Sequence, residues 1–535
     1  MKATRVFING EVFTSDHRFS VHEAVAIGGN RILGVGTNQK IQAFVESGTE
    51  VTDLEGRTLM PGFIDAHAHL ELYGTNQLGL NAKAVHSIPE LLDQLLLAAE
   101  DIPKGQWIRG WGYNQNHLAE QRHLTRDDLD KVSTSHPIIV VRTCGHISCV
   151  NTKALELTGI TDSVVDPPGG KYHRDTSGRL TGLLMESAHM AMFQHADYSE
   201  EEVQKGLAIA SADFLELGIT SVHDAGGYGT KHIRYLQKAV QEKTLKQRIY
   251  ALYGSLSDSV SMVEAGIRSG IATGIGDDFF RIGPAKVFID GSSSGPTCKM
   301  REGYTSNPAD SGMLYMDQHA LDRSLLSAYE HGWQLTAHAM GDQAVDMLLT
   351  TLERARSGRP GTRHRIEHSG FTPADLVQRM KAVRAIPIPN PAFLHEFGDG
   401  YRKDYGNRIE AMFPLHAFAQ NDIPFAIGSD SPITTADPFV GIHAAITRQS
   451  KSGRSVGAEQ GITLEEVLRA YTWGGAYASG EEDVKGSLKP GMLADLIILD
   501  RPVLNTPIQQ LPEVTVDETI LDGKTVFHKL KEDVY

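Results

Sequence analysis

Two histidines one residue apart, His67 and His69, close a short apolar run through Leu59, Met60, Pro61, Gly62, Phe63, Ile64, Asp65 and Ala66. In a strand, side chains at i and i+2 leave the same face, so both imidazoles aim into one site. At that spacing they can hold one divalent metal ion, while Asp65 and the backbone fix ring orientation from behind. A His-x-His alone is a weak signal in a chain with 23 histidines, where the plain alternative is a pair of solvated or core rings. Four more ligand-type residues follow in chain order: Lys286, His338, His368 and Asp430. Singly, His338 and His368 read as satisfied core histidines, and Asp430 in Gly428-Ser429-Asp430-Ser431-Pro432 as a turn or cap aspartate. Lys286 does not read that way. Inside Pro284-Ala285-Lys286-Val287-Phe288-Ile289 its ammonium would be buried without a partner, at a cost of several kcal/mol, unless it is neutral or chemically altered. Addition of CO2 converts it to a carbamate, a carboxylate able to bridge two ions. The six residues together predict a site for one or two divalent metal ions.

The elements that must position them alternate between strand-like and helical runs, the pattern of parallel βα units. Eight strands are predicted, over 59–69, 220–224, 248–253, 285–290, 334–338, 364–368, 384–388 and 424–430. Most carry a polar residue at or near the C-terminal end. In a TIM-like (β/α)8 barrel that end holds the chemistry. The gap from about 80 to 215 is too long for one crossover helix and implies an insertion after barrel strand one. Within it, residues 169–186 read as a hairpin, and the stretch from His146 through Asn151 to Leu155 is expected to fold over the barrel mouth. Both termini are β-rich, with hairpin turns at Asn9-Gly10, Gly28-Gly29 and Asp522-Gly523. The expected organisation is a barrel over 58–484 beside one β-sandwich assembled from 1–57 and 485–535.

A chain of 535 residues with 41% hydrophobic and 22% charged residues can bury a large core over two or three domains. Its net charge of -15 argues against nucleic acid or an anionic membrane as partner, since no basic field exists to displace phosphate counterions. Three cysteines, Cys144, Cys149 and Cys298, are too few for a disulfide framework, and Cys144 and Cys149 lack a zinc spacing. Buried free thiols are expected. No apolar run approaches a membrane span, so a cytoplasmic protein acting on a small molecule is the default. A homodimer is compatible with the sequence, which does not fix the oligomeric state.

The motifs Met60-Pro61-Gly62-Phe63-Ile64-Asp65-Ala66-His67-Ala68-His69, Gly218 through His223-Asp224, Lys286 through Asp290-Gly291, His338 through Asp342, Arg365-Ile366-Glu367-His368 and Gly428 through Pro432 span nearly the whole chain. As a set they resemble the YtcJ-like branch of the amidohydrolase superfamily, the amidohydrolase 3 family. The chain departs from the usual pattern at Pro389-Asn390-Pro391, where Gln-Pro is common, and at Gly295-Pro296-Thr297, where an Arg is common. The resemblance implies one ion held by His67, His69, carbamylated Lys286 and Asp430, and a second by that carbamate with His338 and His368. Zinc suits these oxygen and nitrogen ligands, with manganese or iron as alternatives.

It further implies hydrolysis of a carbon–nitrogen bond, of an N-substituted formamide or N-acyl amine, by attack of a metal-bound hydroxide. Asp430 would serve as base and then acid, with His146 and His223 as candidates for binding the carbonyl oxygen or the substrate. Asp224 and Asp342 are expected to orient neighbours. A lactonase or phosphotriesterase would use nearly the same ligands and remains the alternative. A deaminase is disfavoured by the Ala339-Met340-Gly341 that follows His338, and a metal-free scaffold by the full set of ligand types.

Overall fold

Gly62 separates two strands that the sequence runs together. Thr58–Pro61 lies in a sheet of the chain termini, whereas Phe63–Ala68 opens the central sheet. Between them the backbone passes so close to the second barrel strand that a Cβ at position 62 would collide with Thr220. The predicted single strand over 59–69 is therefore two, each serving a different layer. The structure, a computed structural model, describes residues 2–356 and 363–529.

The central sheet holds seven parallel strands in spatial order Phe63–Ala68, Ile219–Asp224, Arg248–Tyr253, Phe280–Phe288, Leu335–Ala339, Arg365–His368 and Ile386–Ile388. Helices such as Glu200–Glu216, His232–Gln241, Gln318–Glu330 and Asp342–Arg356 connect them. Their apolar faces, including Leu207, Phe214, Leu236, Leu325 and Leu348, share one core with strand residues Val222, Ala285 and Leu335. A ring of this kind buries both faces of every strand, which is why the strands read as apolar runs with polar residues only toward one end.

The eighth predicted strand, 424–430, is not a regular strand. It nevertheless closes the ring, since Ala66 N–H donates to Ile427 O (3.0 Å) and Asp430 N–H to His67 O (2.7 Å), while Ala426 and Gly428 N–H donate to Pro387 O and Pro389 O (3.3 and 3.2 Å). Regular strand geometry is lost where the two segments close in on each other. A Cβ on Gly428 would lie 2.5 Å from that of His67, and Asp430 turns into the left-handed region at φ 57°.

Residues between the first two barrel strands form a six-stranded sheet of their own, from Leu80–Asn81 to Leu180–Glu186. The 169–186 stretch folds as the hairpin Gly170–Arg174 with Leu180–Glu186. The termini supply a four-stranded sheet from the N-terminal end and a six-stranded sheet drawn from both ends, in which Leu496–Leu499 pairs with Thr58–Pro61. Phe7, Val25, Leu59, Leu496 and Ile520 join these sheets in one apolar cluster. All three cysteines are buried free thiols, and no helix among the described residues is long and apolar enough to cross a membrane.

One ion pair ties the barrel to the C-terminal segment. Arg248, 1% exposed, donates as a fork to both oxygens of Asp495 (2.7 and 3.0 Å) and also to Asp522 (3.1 Å). Removing one member of such a pair strands the other charge, at about 3–5 kcal/mol. Arg248→Ala is therefore expected to lower the thermal unfolding midpoint measurably, and Arg248→Lys to recover only part because it lacks the fork. An unchanged midpoint in calorimetry would show that this junction carries no stability.

Candidate functional site

Four histidine rings and two charged side chains meet at the C-terminal end of the barrel strands. His67 Nε2 and His69 Nε2 each stand 3.4 Å from Asp430 Oδ1. The three buried donor atoms lie within 4.8 Å of one another. His368 continues the group, its ring centroid 4.7 Å from that of His67 and 4.4 Å from that of His338. Lys286, 0% exposed, donates from Nζ to the Ala225 carbonyl at 2.8 Å and lies 4.8 Å from the Phe288 ring centroid. All six residues singled out as metal ligands are thus brought to one end of the barrel.

What the rings do with their second nitrogen decides their chemistry. A neutral imidazole has one N–H and one lone pair, and an acceptor on one nitrogen frees the lone pair of the other. His67 Nδ1 donates to Glu367 Oε2 (2.5 Å), His69 Nδ1 to Gly226 O (2.6 Å) and His368 Nδ1 to Asn390 Oδ1 (2.7 Å). The Asn390 amide is oriented by its own donation to Gly428 O at 2.8 Å. Each of these three rings therefore presents Nε2 as a lone pair. His338 is reversed: Nε2 donates to Gly291 O at 3.1 Å and leaves Nδ1 free.

Electrostatics agree with that assignment. Burial pushes His69 and His338 below the usual histidine range and His368 to about 3, so these rings are neutral. Burial alone would raise the Asp430 carboxyl, but the His67, His69 and His368 rings around it more than offset this and hold it well below the ordinary range, as an anion. Burial lowers the Lys286 amine to about 8 even with Glu367 and Asp430 nearby, which makes the neutral, CO2-reactive form accessible. His67 Nε2 is buried with no hydrogen-bond partner, an arrangement that costs about 1–3 kcal/mol if nothing occupies it. A divalent cation between lone pairs and a carboxylate accounts for that orphan, and the donor set fits one.

Several orienting groups differ from those expected. Asp65 does not touch either ring. Its carboxylate accepts from Ser429 N–H (2.9 Å) and Ser429 Oγ–H (2.6 Å) and from His67 N–H (3.2 Å), clamping the turn that carries Asp430. Orientation of the His67 ring falls to Glu367, which lies beside His368 in the sequence, and that of His69 to the Gly226 carbonyl. Arg365 donates to both Glu367 oxygens (2.8 and 3.0 Å) and to His223 Nδ1 (2.8 Å). His223 is fully buried, its ring 5.2 Å from that of Tyr250, and its Nδ1 is taken up by Arg365.

His146, on the insertion, reaches the mouth. Its ring centroid is 5.6 Å from that of His338, and Nδ1 donates to Glu186 Oε2 at 2.7 Å. Burial would lower this ring, but the Glu186 carboxylate outweighs it and lifts His146 to about 9. Asp224 orients neighbours as expected, accepting from Leu70 N–H and Gly226 N–H (both 3.0 Å). It also pairs with His232 Nε2 at 2.5 Å, whose Nδ1 meets Glu71. That buried triad braces the loop whose Ala225 and Gly226 carbonyls grip Lys286 and His69. Asp342 accepts from Arg301 N–H at 2.8 Å. Three site residues hold left-handed backbone, Glu186 (φ 54°), His368 (φ 68°) and Asp430 (φ 57°), each at about 1–3 kcal/mol of strain.

Residues 50–527 match a family model described as the amidohydrolase family. Among curated proteins, the chain is 29% identical to an N-substituted formamide deformylase of Arthrobacter pascens, over 97% of each chain. It is 28% identical to the putative amidohydrolase YtcJ of Bacillus subtilis, over 99% of this chain and 100% of that one. Among solved structures, it is similar to an uncharacterized metal-dependent hydrolase from Pyrococcus horikoshii, with a TM-score of 0.77, 26% identity and coverage of 94% of this chain and 99% of that one.

Asn390 stands where this chain departs from the common pattern, and it is the acceptor that fixes His368. Removing an outer hydrogen-bond partner of a ligand costs about 10–100-fold in metal affinity. Asn390→Ala is expected to weaken binding of one equivalent of metal by that factor in competition with a chelator. Unchanged affinity would mean that the ring is held by packing alone.

Proposed function

This chain belongs to the amidohydrolase family, and from that membership we propose that it is a metal-dependent hydrolase of a carbon–nitrogen bond in a small amide, an N-substituted formamide or N-acyl amine. The observation that carries the reading is the convergence of His67, His69 and Asp430, with both ring lone pairs turned toward one carboxylate oxygen. In this reading those residues and a carbamate on Lys286 would hold one ion, and His338 and His368 with that carbamate would hold a second. Zinc is the preferred metal. Bound there, a divalent ion lowers the pKa of a coordinated water to about 7 and polarises a carbonyl oxygen.

The chain's own residues do the rest. Asp430, held anionic, accepts a proton from the attacking water and delivers it to the nitrogen that leaves, which must depart as a neutral amine. His146 lies across the mouth beside His338, where it meets the oxygen of the scissile carbonyl. The neutral Lys286 amine adds CO2 at Nζ and loses a proton; the remaining N–H can keep its bond to the Ala225 carbonyl. The deformylase activity named for the Arthrobacter pascens relative supports a small acyl group. Phe288, whose ring stacks on His338, and Tyr315, beside His146, line a cavity of about 200 Å³ whose walls are mixed, with Met190 and Leu256 on one hand and Ser187, Ser257 and Asp258 on the other, and which offers room for the amine's substituent.

The test is a panel of N-formyl amines, N-acyl amines, lactones and phosphotriesters on metal-loaded protein. Amine release from formamides or N-acyl amines is expected, and Asp430→Asn should lower kcat by about 100-fold or more while retaining metal. No amine release, together with turnover of lactones or phosphotriesters at kcat/KM near about 10⁴ M⁻¹s⁻¹, would replace the amidase reading with the esterase alternative.

A further inference from the structure

Glu186 has no assigned role, yet its position is costly and crowded. It is fully buried, its backbone sits at φ 54° and ψ -123°, and this conformation is rare for a side chain larger than Asn or Asp. Backbone outliers of this kind persist where surrounding contacts over-determine them, and they concentrate at working sites. Three side-chain donors end on the carboxylate. His146 Nδ1–H donates to Oε2 at 2.7 Å, the Tyr315 hydroxyl donates to the same oxygen, and the Thr297 hydroxyl donates to Oε1. In addition, Glu186 N–H donates to the His146 carbonyl at 2.8 Å.

Those partners come from two separate parts of the chain. His146 and Glu186 belong to the insertion between the first two barrel strands, whereas Thr297 and Tyr315 belong to the connection after the fourth strand, which carries Lys286. Tyr315 is itself pinned by N–H donation to Ile289 O at 2.9 Å. One carboxylate thus fastens the insertion to the barrel rim at the point where the His146 ring approaches His338. With Nδ1 committed to Glu186, Nε2 is the ring nitrogen left for the site.

We infer that Glu186 is a positioning residue that fixes the His146 ring so that Nε2 donates to the oxygen of the scissile carbonyl, with Tyr315 and Thr297 anchoring the carboxylate. The inference rests on the hydrolytic reading of the site, but not on the identity of the bond cleaved. A carboxylate on the far nitrogen both orients the ring and favours its doubly protonated form, so the insertion supplies a donor aimed where negative charge develops on that oxygen.

The test is a double-mutant cycle on whichever substrate the metal-loaded wild type hydrolyses. Glu186→Gln is expected to lower kcat about 100-fold, the loss typical of a removed oxyanion donor, with metal content unchanged and KM little altered. The double variant Glu186→Gln/His146→Ala should be no slower than His146→Ala alone, because both remove one function. Losses that multiply, or Glu186→Gln turnover within about 2-fold of wild type, would overturn the proposal. A lactone as the working substrate would sink the amide reading while leaving this cycle decisive, because it too develops charge on a carbonyl oxygen; turnover of phosphotriesters alone, which have no scissile carbonyl, would overturn both. Without any substrate, the downfield imidazole N–H proton identified by its loss in His146→Ala should also vanish in Glu186→Gln. Its absence from wild-type spectra, or persistence in Glu186→Gln, would equally overturn the proposal.

Discussion

An imidazole that is to offer a lone pair has a single proton to place, and the barrel mouth is built around acceptors for four such protons. A ring that is to offer a lone pair inward must donate its N–H outward to a group that can only accept. Glu367, the Gly226 and Gly291 carbonyls and the Asn390 amide oxygen supply those acceptors from four different strand ends or loops. The strands cannot shift against one another without breaking at least one of these bonds. Ligand geometry and barrel register are therefore one constraint.

Burying Glu367 as an acceptor creates a second requirement, because an isolated buried carboxylate would neutralise. Burial raises its carboxyl, and the Arg365 guanidinium and His67 more than offset this, holding it well below the usual range. Arg365 in turn donates to the Ala66 carbonyl at 2.7 Å and to His223, joining strands one, two and six below the metal ligands. The Glu71–His232–Asp224 triad does the same work to one side. Burial would discharge His232, yet its two carboxylates raise it to about 10, so a full charge stands behind the loop that holds Lys286 and His69. Gly227 is required there, since a Cβ would overlap both Glu71 and His232.

How much of this was legible in the sequence follows from spacing. His67 and His69 share a face because strand geometry forces it, and Lys286, His338, His368 and Asp430 could be placed because parallel strands end on one side of a barrel. Glu367 was visible but mute: next to a histidine in a strand it should face the opposite way, and only the left-handed backbone at His368 puts both to use. Glu71 follows His69 by only two residues but lies in a helix, and His232 and Glu186 stand at helix starts elsewhere in the chain, so no strand period links any of them to the site. Asn390 stood out as a departure from the common pattern, but a pattern cannot say which ring an amide will meet. The eighth strand failed as a strand because Gly428 and Asp430 answer to His67 rather than to regular pairing.

Strain explains why so much hydrogen bonding gathers at one end. Regular strand geometry offers only two directions for a side chain, in or out, and a binding site needs others. Left-handed φ at Glu186, His368 and Asp430 supplies those directions at about 1–3 kcal/mol each. Opposing interactions are found at the same residues: the Asp65 clamp on Ser429 and the Asp430 N–H bond to His67 O, the Asn390 bond to His368, and the three donors on Glu186. Each net hydrogen bond contributes about 0.5–1.5 kcal/mol, more where a charge takes part, so bonds of this number and kind are of the size of the strain they oppose. The density of bonds around these residues is thus the condition for holding the ligands in place before any ligand binds, and a sequence lacking Asp65, Asn390 or Tyr315 would be expected to relax the rim toward ordinary strand ends.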